Sequence, residues 1–422
     1  MATSPFAHDR LLITGELIVV TPLHVGSGES ETDGAIPKTK DGAEPESARV
    51  QIDGDGKPWI PGSTLKGAMR ALCAEAQRNA LFGAPHGDTA AMGALTVFAA
   101  TFADPPTENR LPRAAEKTHG LGLEARTKIH AGRGTADKHK LFHAERLAPG
   151  AVFNLAVELM LPRDGPVMDA LGGILGWMAQ GFALGRGKRA GQGLLRLDKT
   201  CFNTFGMDGN GNWVSKGSST TIAIVAPALS GARKLRLECE GPFMINNSFW
   251  NDERMAKEKA LKDSGKKKKD GEFPQLRAQG IVDGLAPEAA LPGPSLKGAL
   301  RSRSQWLENL NKTPGVTDEL FGTEKRAAKL AIHSIRLISG GGIWTLPSVK
   351  LDRFSGAPID GGLFATECFV DPVFEVELVY TGAHKNHFEA LLADIKDDGS
   401  GLRLGHGGNR GFGWFTVTGG EA

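Results

Sequence analysis

Cysteine is scarce in this 422-residue chain: Cys73, Cys201, Cys239 and Cys368 lie far apart, and no CxxC pair occurs. This argues against a disulfide framework and against a zinc site, and fits a reducing cytoplasm. Net charge is nearly absent too, +2 from 50 Lys+Arg against 48 Asp+Glu. Affinity for nucleic acid must then come from local basic patches rather than from a global field. Long hydrophobic runs are missing. MATSPFAHDR at the start lacks the apolar core of a signal peptide, and the most apolar stretch, ALGGILGWMAQGFALG at 170–185, is shorter than a membrane span. The remaining composition, 40% hydrophobic and 23% charged, suits a soluble globular protein long enough for two or three domains. Glycine is in excess at 56 residues, which implies many tight turns or backbone brought close to a ligand.

IPGSTLKGAMR at 60–70 returns as LPGPSLKGALR at 291–301, with seven of eleven positions identical. Its neighbours return in the same order. TPLHVGSG (21–28) is answered by GPFMINNS (241–248), and LFG closes both helical segments at 81–83 and 320–322. LTVFAATFAD (95–104) is answered by LAIHSIRLIS (330–339). KIHAGRGTADKHKLFHAE (128–145) and KLDRFSGAPIDGGLFATE (350–367) share Lys, Gly, Leu-Phe and Glu at an offset of 222. The strands VFNLAVELML and VFEVELVY follow, then a helix. Finally GRGKRAGQG (185–193) and GHGGNRGFG (405–413) share GxGxxxGxG at an offset of 220. So many co-linear matches mark a tandem duplication.

Each half reads strand, basic helix, strand, long excursion, strand, helix, glycine loop, strand. This is the βαββαβ order of a ferredoxin-like (RRM-like) α+β domain, an antiparallel sheet with two helices on one face. The boundary is expected in the polar, glycine-rich MDGNGNWVSKGSSTT, giving domains 1–212 and 213–422. The excursions exceed what a compact domain carries without a use for them.

In both basic helices a serine (Ser63, Ser295) lies near the start, where unpaired N–H groups suit a phosphate. Lys66 and Arg70, like Lys297 and Arg301, are four apart and share a face. The plain alternative is a solvated surface; recurrence in both halves favours phosphate binding. The glycine loops add Arg186, Lys188 and Arg189, and His406, Asn409 and Arg410, to a backbone able to approach RNA closely.

Together these pieces resemble the RAMP superfamily of CRISPR-associated proteins, in particular the repeated backbone subunit of type III RNA-targeting effector complexes. Members carry TPLHVGSG, PYIPGSSLKGxxR, LFG, an LFxxE thumb element and a terminal glycine loop. Here these read TPLHVGSG, PWIPGSTLKGAMR, LFG, KLFHAE and GRGKRAGQG, with weaker counterparts in the second half. The resemblance implies a cytoplasmic antiviral protein of two fused RAMP domains with inserted thumbs, doing the work of two adjacent protomers. Its implied partners are CRISPR guide RNA, complementary target RNA and other effector subunits, without a membrane. It implies RNA contacts at the helices and glycine loops above and at His24, Ser27 and Asn246. Thumb contacts are implied at Lys128, His130, Arg133, Lys350 and Arg353, with Phe142 and Phe364 as apolar anchors.

Members that cut target RNA use an aspartate in the loop before the basic helix, often as D-x-P-x-x-R. A carboxylate there would hold Mg2+ or another divalent cation, or position the attacking 2′-OH. This chain departs from the pattern: Glu46 stands at that place in the first half, and GEFPQLR offers Glu272 in the second. Asp33, Asp252 and Asp270 lie nearby, and Asp33 and Asp270 rank first by residue type. The lysine run GKKKKD (265–270) would add salt-dependent affinity beside an RNA groove. Two alternatives stand: a scaffold that holds RNA without cutting it, and a guide-processing endoribonuclease using histidine as general acid–base. His130, His139 and His143 could hold a metal in principle, but no cysteine or second-half equivalent joins them, and no zinc is expected. A basic helix of one pattern in both halves favours the backbone subunit.

Overall fold

Alternation makes RLLITGELIV a strand with one face in the core: β1 (Arg10–Val19) buries Leu11, Ile13, Leu17 and Val19. The computed structural model describes residues 8–36, 45–84, 92–129, 136–161, 164–218, 220–225, 231–265, 273–396 and 401–421. After β1 come α1 (Gly62–Leu72), β2 (Leu95–Val97 and, past a bulge, Ala100–Asp104), β3 (Val152–Met160), α2 (Gly165–Gln180) and β4 (Leu194–Met207). The sheet order is β4-β1-β3-β2, antiparallel throughout, the ferredoxin-like arrangement. Leu65 and Met69 of α1 and Leu171, Ile174, Leu175 and Met178 of α2 pack on the buried face. Each such side chain contributes about 1.5–3 kcal/mol on leaving water.

The second half repeats the plan with β5 (Ala232–Cys239), α3 (Gly293–Asn311), β6 (Leu330–Ser339), β7 (Val373–Tyr380), α4 (Lys385–Lys396) and β8 (Trp414–Gly419). Its order, β8-β5-β7-β6, matches the first, around a core of Leu235, Leu237, Leu296, Leu300, Leu391 and Ile395. The first half runs past residue 212. Trp213–Ser215 pairs back onto β4, and Ile222 sits in the first core. The polar turn at Asp208 is a hairpin of the first domain, not a linker.

A second sheet projects from each half. In the first, the hairpin Leu121–Ile129/Ala136–Leu147 pairs in parallel with Glu46–Val50, Ala48 opposite Ala144. In the second, the hairpin Gly342–Leu351/Pro358–Val370 pairs in parallel with Leu276–Arg277, Leu276 opposite Thr366. These are the thumbs.

Among the described residues several contacts join the halves. The first glycine loop lies on the edge of β6, where the Arg189 carbonyl accepts the Ile332 N–H at 3.4 Å. Phe249 of the second half, 2% exposed, is buried against Ile36 and Leu123 of the first. Arg110 donates to the Ala286 carbonyl at 3.0 Å and pairs with Glu288.

Candidate nucleic-acid interface

The GxGxxxGxG spacing has a backbone cause. All eight glycines have positive φ, and a Cβ on Gly193 or Gly413 would lie 2.0 or 1.8 Å from the carbonyl of Leu184 or Leu404. Each loop is pinned to the segment after the first strand of its half. Arg186 N–H donates to the His24 carbonyl (3.0 Å), and His406 N–H donates to that of Met244 (2.7 Å). With the backbone fixed, Arg186, Lys188, Arg189, His406, Asn409 and Arg410 are all exposed. Although the residue is exposed overall, partial burial of the ring and then the Arg410 guanidinium lower the His406 imidazole below its ordinary value.

His24 is 4% exposed, and its Nδ1 donates to the Glu145 carbonyl at 2.8 Å. Burial, the largest influence, lowers its pKa; the side chain ties the thumb to the core and is not presented to a ligand. Ser27 Oγ, half-buried, accepts the Glu29 N–H, and Asn246 accepts Gln279 Nε2 at its backbone carbonyl. Both basic helices start after a proline (Pro61, Pro292) with no side-chain cap, whereas α2 is capped by Asp164. In α1 this leaves the first two N–H groups for other acceptors; in α3 it leaves only that of Gly293, since Pro294 has none and Ser295 donates to the Pro292 carbonyl at 2.9 Å. Ser63 is exposed; Ser295 is half-buried and aligns with Thr64, Pro294 standing where Ser63 does.

Within the basic helices lysine and arginine divide. Lys66 and Lys297 are half-buried. Arg70 donates to the Gly83 carbonyl at 3.1 Å, and Arg301 donates to that of Gly322 at 2.7 Å and pairs with Asp318 at 2.6 Å. Each arginine thus closes the C-terminus of the short helix ending in LFG, which links two motifs that recur together.

The LFxxE glutamates are also internal. Arg49 pairs with Glu145 at 2.6 Å, and Arg277 pairs with Glu367 at 2.5 Å, each across the parallel strand pair. An Asp and a Lys complete each network. Asp33 binds Lys117 (2.7 Å) and Arg49 (3.3 Å); Asp283 binds Arg277 (2.7 Å) and Lys257. Asp33 is 3% exposed and also accepts from Ser47 Oγ and the Ala35 N–H. Burial alone would raise its pKa, but the Lys117, Ala35 and Ser47 hydrogen bonds hold it below the ordinary carboxylate value. The first-ranked carboxylate is therefore enclosed as a counter-ion, and an aspartate so enclosed is not offered to a phosphate.

Among the other carboxylates, Glu46 is exposed on the strand beside Thr32, and Asp252 is 4.0 Å from Arg113 in the first turn of the helix Trp250–Asp263. Asp270, Glu272, His130, Arg133 and the Lys128 side chain lie outside the described residues. His143 is half-buried beside the Phe249 ring, and burial lowers its pKa. Among the described residues no three His, Cys, Asp or Glu side chains converge as a metal site.

On the thumbs, Lys350 and Arg353 are exposed, and the Leu of each Leu-Phe pair (Leu141 61%, Leu363 67%) is more exposed than Phe142 or Phe364. Arg186 lies over the Phe142 ring at 5.7 Å, joining glycine loop to thumb. Phe354, which the sequence does not single out, stands fully exposed at the second thumb's tip, in a turn capped by Asp352. The Arg49 and Arg277 networks also escape the sequence reading, although Arg277 ends GEFPQLR and the glutamates recur at an offset of 222.

Among the described residues no helix is long and apolar enough to cross a membrane. A family model described as RAMPs, RAMP superfamily, matches residues 16–196 and 286–416, most of the chain. No curated protein matches the sequence.

Proposed function

The chain belongs to the RAMP superfamily of CRISPR-associated, RNA-binding proteins, and from that membership we propose a fused double backbone subunit of a type III interference complex. In this reading each half holds a stretch of guide RNA through phosphates, and target RNA pairs alongside the thumbs. The observation that carries it is the repeated loop geometry. Two backbone-locked glycine loops expose charged and hydrogen-bonding side chains, each in a half whose basic helix starts uncapped. Such contacts grip the RNA backbone without reading its bases. The test replaces Arg186, Lys188, His406 and Arg410 by alanine and measures single-stranded RNA affinity against salt. Affinity should drop for all sequences alike, with a shallower salt slope; unchanged affinity and slope would refute the grip.

For cleavage of target RNA, strand register supports a different carboxylate pair from the one ranked first by residue type. Arg49 and Arg277 are equivalent, and five residues N-terminal to them stand Glu44 and Glu272. The described residues do not fit a divalent cation, since Asp33 is already neutralised by Lys117 and Arg49. A second reading, a scaffold that holds RNA without cutting, draws on this enclosure of Asp33. Complexes bearing Glu44→Gln and Glu272→Gln distinguish the two. Lost cuts opposite this subunit favour cleavage by these glutamates, and an absence of cuts with the native chain favours the scaffold.

A further inference from the structure

We propose that the seam between the halves is itself an anion site, in which one RNA phosphate bridges Arg189 of the first glycine loop and Lys297 of the second basic helix. The inference rests on the RNA-binding reading above and adds a site that neither half possesses alone.

The backbone brings the two residues together. The Arg189 carbonyl accepts from Ile332 on β6, and Ala190 pairs with Ile332 in parallel. The Ala190 carbonyl then abuts the start of α3, so closely that a Cβ on Gly293 would lie 1.7 Å from it. Lys297 is four residues on from Gly293, one turn along the same helix face. Arg189 is exposed and Lys297 half-buried, so an anion from solvent can reach between them.

The charges acting on Lys297 have one sign. Burial lowers its pKa first, and the Arg301 and Arg189 guanidiniums lower it further. Arg301 is already spent on Asp318 and the Gly322 carbonyl. Like charges facing each other across an interface oppose its formation. An anion between Arg189 and Lys297 converts that repulsion into two charge-assisted hydrogen bonds. The first half has no such seam: the position of a Cβ on Gly62 meets Val97 of its own strand, 2.4 Å from the carbonyl. By linkage, an anion that needs both halves docked also strengthens their docking.

Two measurements on the full chain test this. The first is a double-mutant cycle with Arg189→Ala and Lys297→Ala, read as affinity for single-stranded RNA over a range of salt. Each single change should weaken binding roughly tenfold. The double change should weaken it by less than the product, with a salt slope lowered by about one, as for one shared phosphate. Fully multiplicative losses with a slope lowered by about two would mean two separate contacts and overturn the bridge. The second needs no RNA: the unfolding midpoint in inorganic phosphate is compared with that in chloride at equal ionic strength. Phosphate should raise the native chain and Lys297→Arg above Lys297→Met. If the native chain binds no RNA, the reading above fails and the RNA part of this proposal goes with it. Equal phosphate shifts in the native chain and Lys297→Met overturn the site itself.

Discussion

The two halves share one topology but close the same sheet edge differently. In the first, Trp59–Ile60 adds a short strand to β2, pairing with Thr101 and Ala100. In the second, the residues before α3 form no such strand, and Ala190 of the first half's glycine loop covers β6 instead. The glycine at each helix start follows suit, Gly62 against its own Val97 and Gly293 against Ala190. An exposed edge has to be covered. The difference teaches that fusion let one repeat take its edge cover from the other.

The comparison can be broken first at its ion pairs. Arg49→Ala leaves the buried Asp33 and Glu145 sharing Lys117, and should cost about 3–5 kcal/mol. Arg277→Ala leaves Glu367 and the more exposed Asp283, and should cost about 1–3 kcal/mol. Calorimetry on both variants checks the order; equal losses would mean that the thumbs depend alike on their networks. Next is the seam. Gly293→Ala should cost about 1–3 kcal/mol by overpacking. It should also enlarge the radius of gyration in X-ray scattering as the halves part, whereas Gly62→Ala strains one domain and leaves the radius unchanged.

Acid sharpens the contrast further. The Asp33 carboxyl titrates lower in the fold than its unfolded value of 3.8, so its stabilisation is present above that pH. It is lost as pH falls through the folded pKa, because the unfolded state then binds the extra proton. Asp33→Asn should flatten acid unfolding below about pH 4, followed by near-UV circular dichroism. The smallest effect belongs to the thumb tip: Phe354→Ala should shift stability by less than about 0.5 kcal/mol, since nothing in the fold covers that ring. Chemical denaturation checks it.

The duplication, the ferredoxin-like order and the glycine spacing were legible because they are local or periodic. Alternation in RLLITGELIV and the positive-φ demands of GxGxxxGxG are written in consecutive residues. Long-range pairing is not. Nothing near Asp33 in the chain announces Lys117 or Glu145, so a loop aspartate looks free when it is enclosed. Arg70 and Arg301 share a face with lysines as the spacing requires, yet their guanidiniums turn to LFG carbonyls beyond the end of the helix. That Trp213–Ser215 pairs back onto β4 was hidden for a similar reason, since a polar hairpin and a polar linker have the same composition.

The borrowed edge gives the molecule a direction. The contact between the halves is head-to-tail, the kind that would run on into a fibre wherever the next unit offers an open edge. Here the first half's edge is filled by Trp59–Ile60, and the second loop carries Arg410 where the first inserts Ala190. In the vocabulary of polymers, the loop-to-edge contact is a bond with a head and a tail, and the two outer ends of the chain differ in sequence and edge cover from the pair joined inside it.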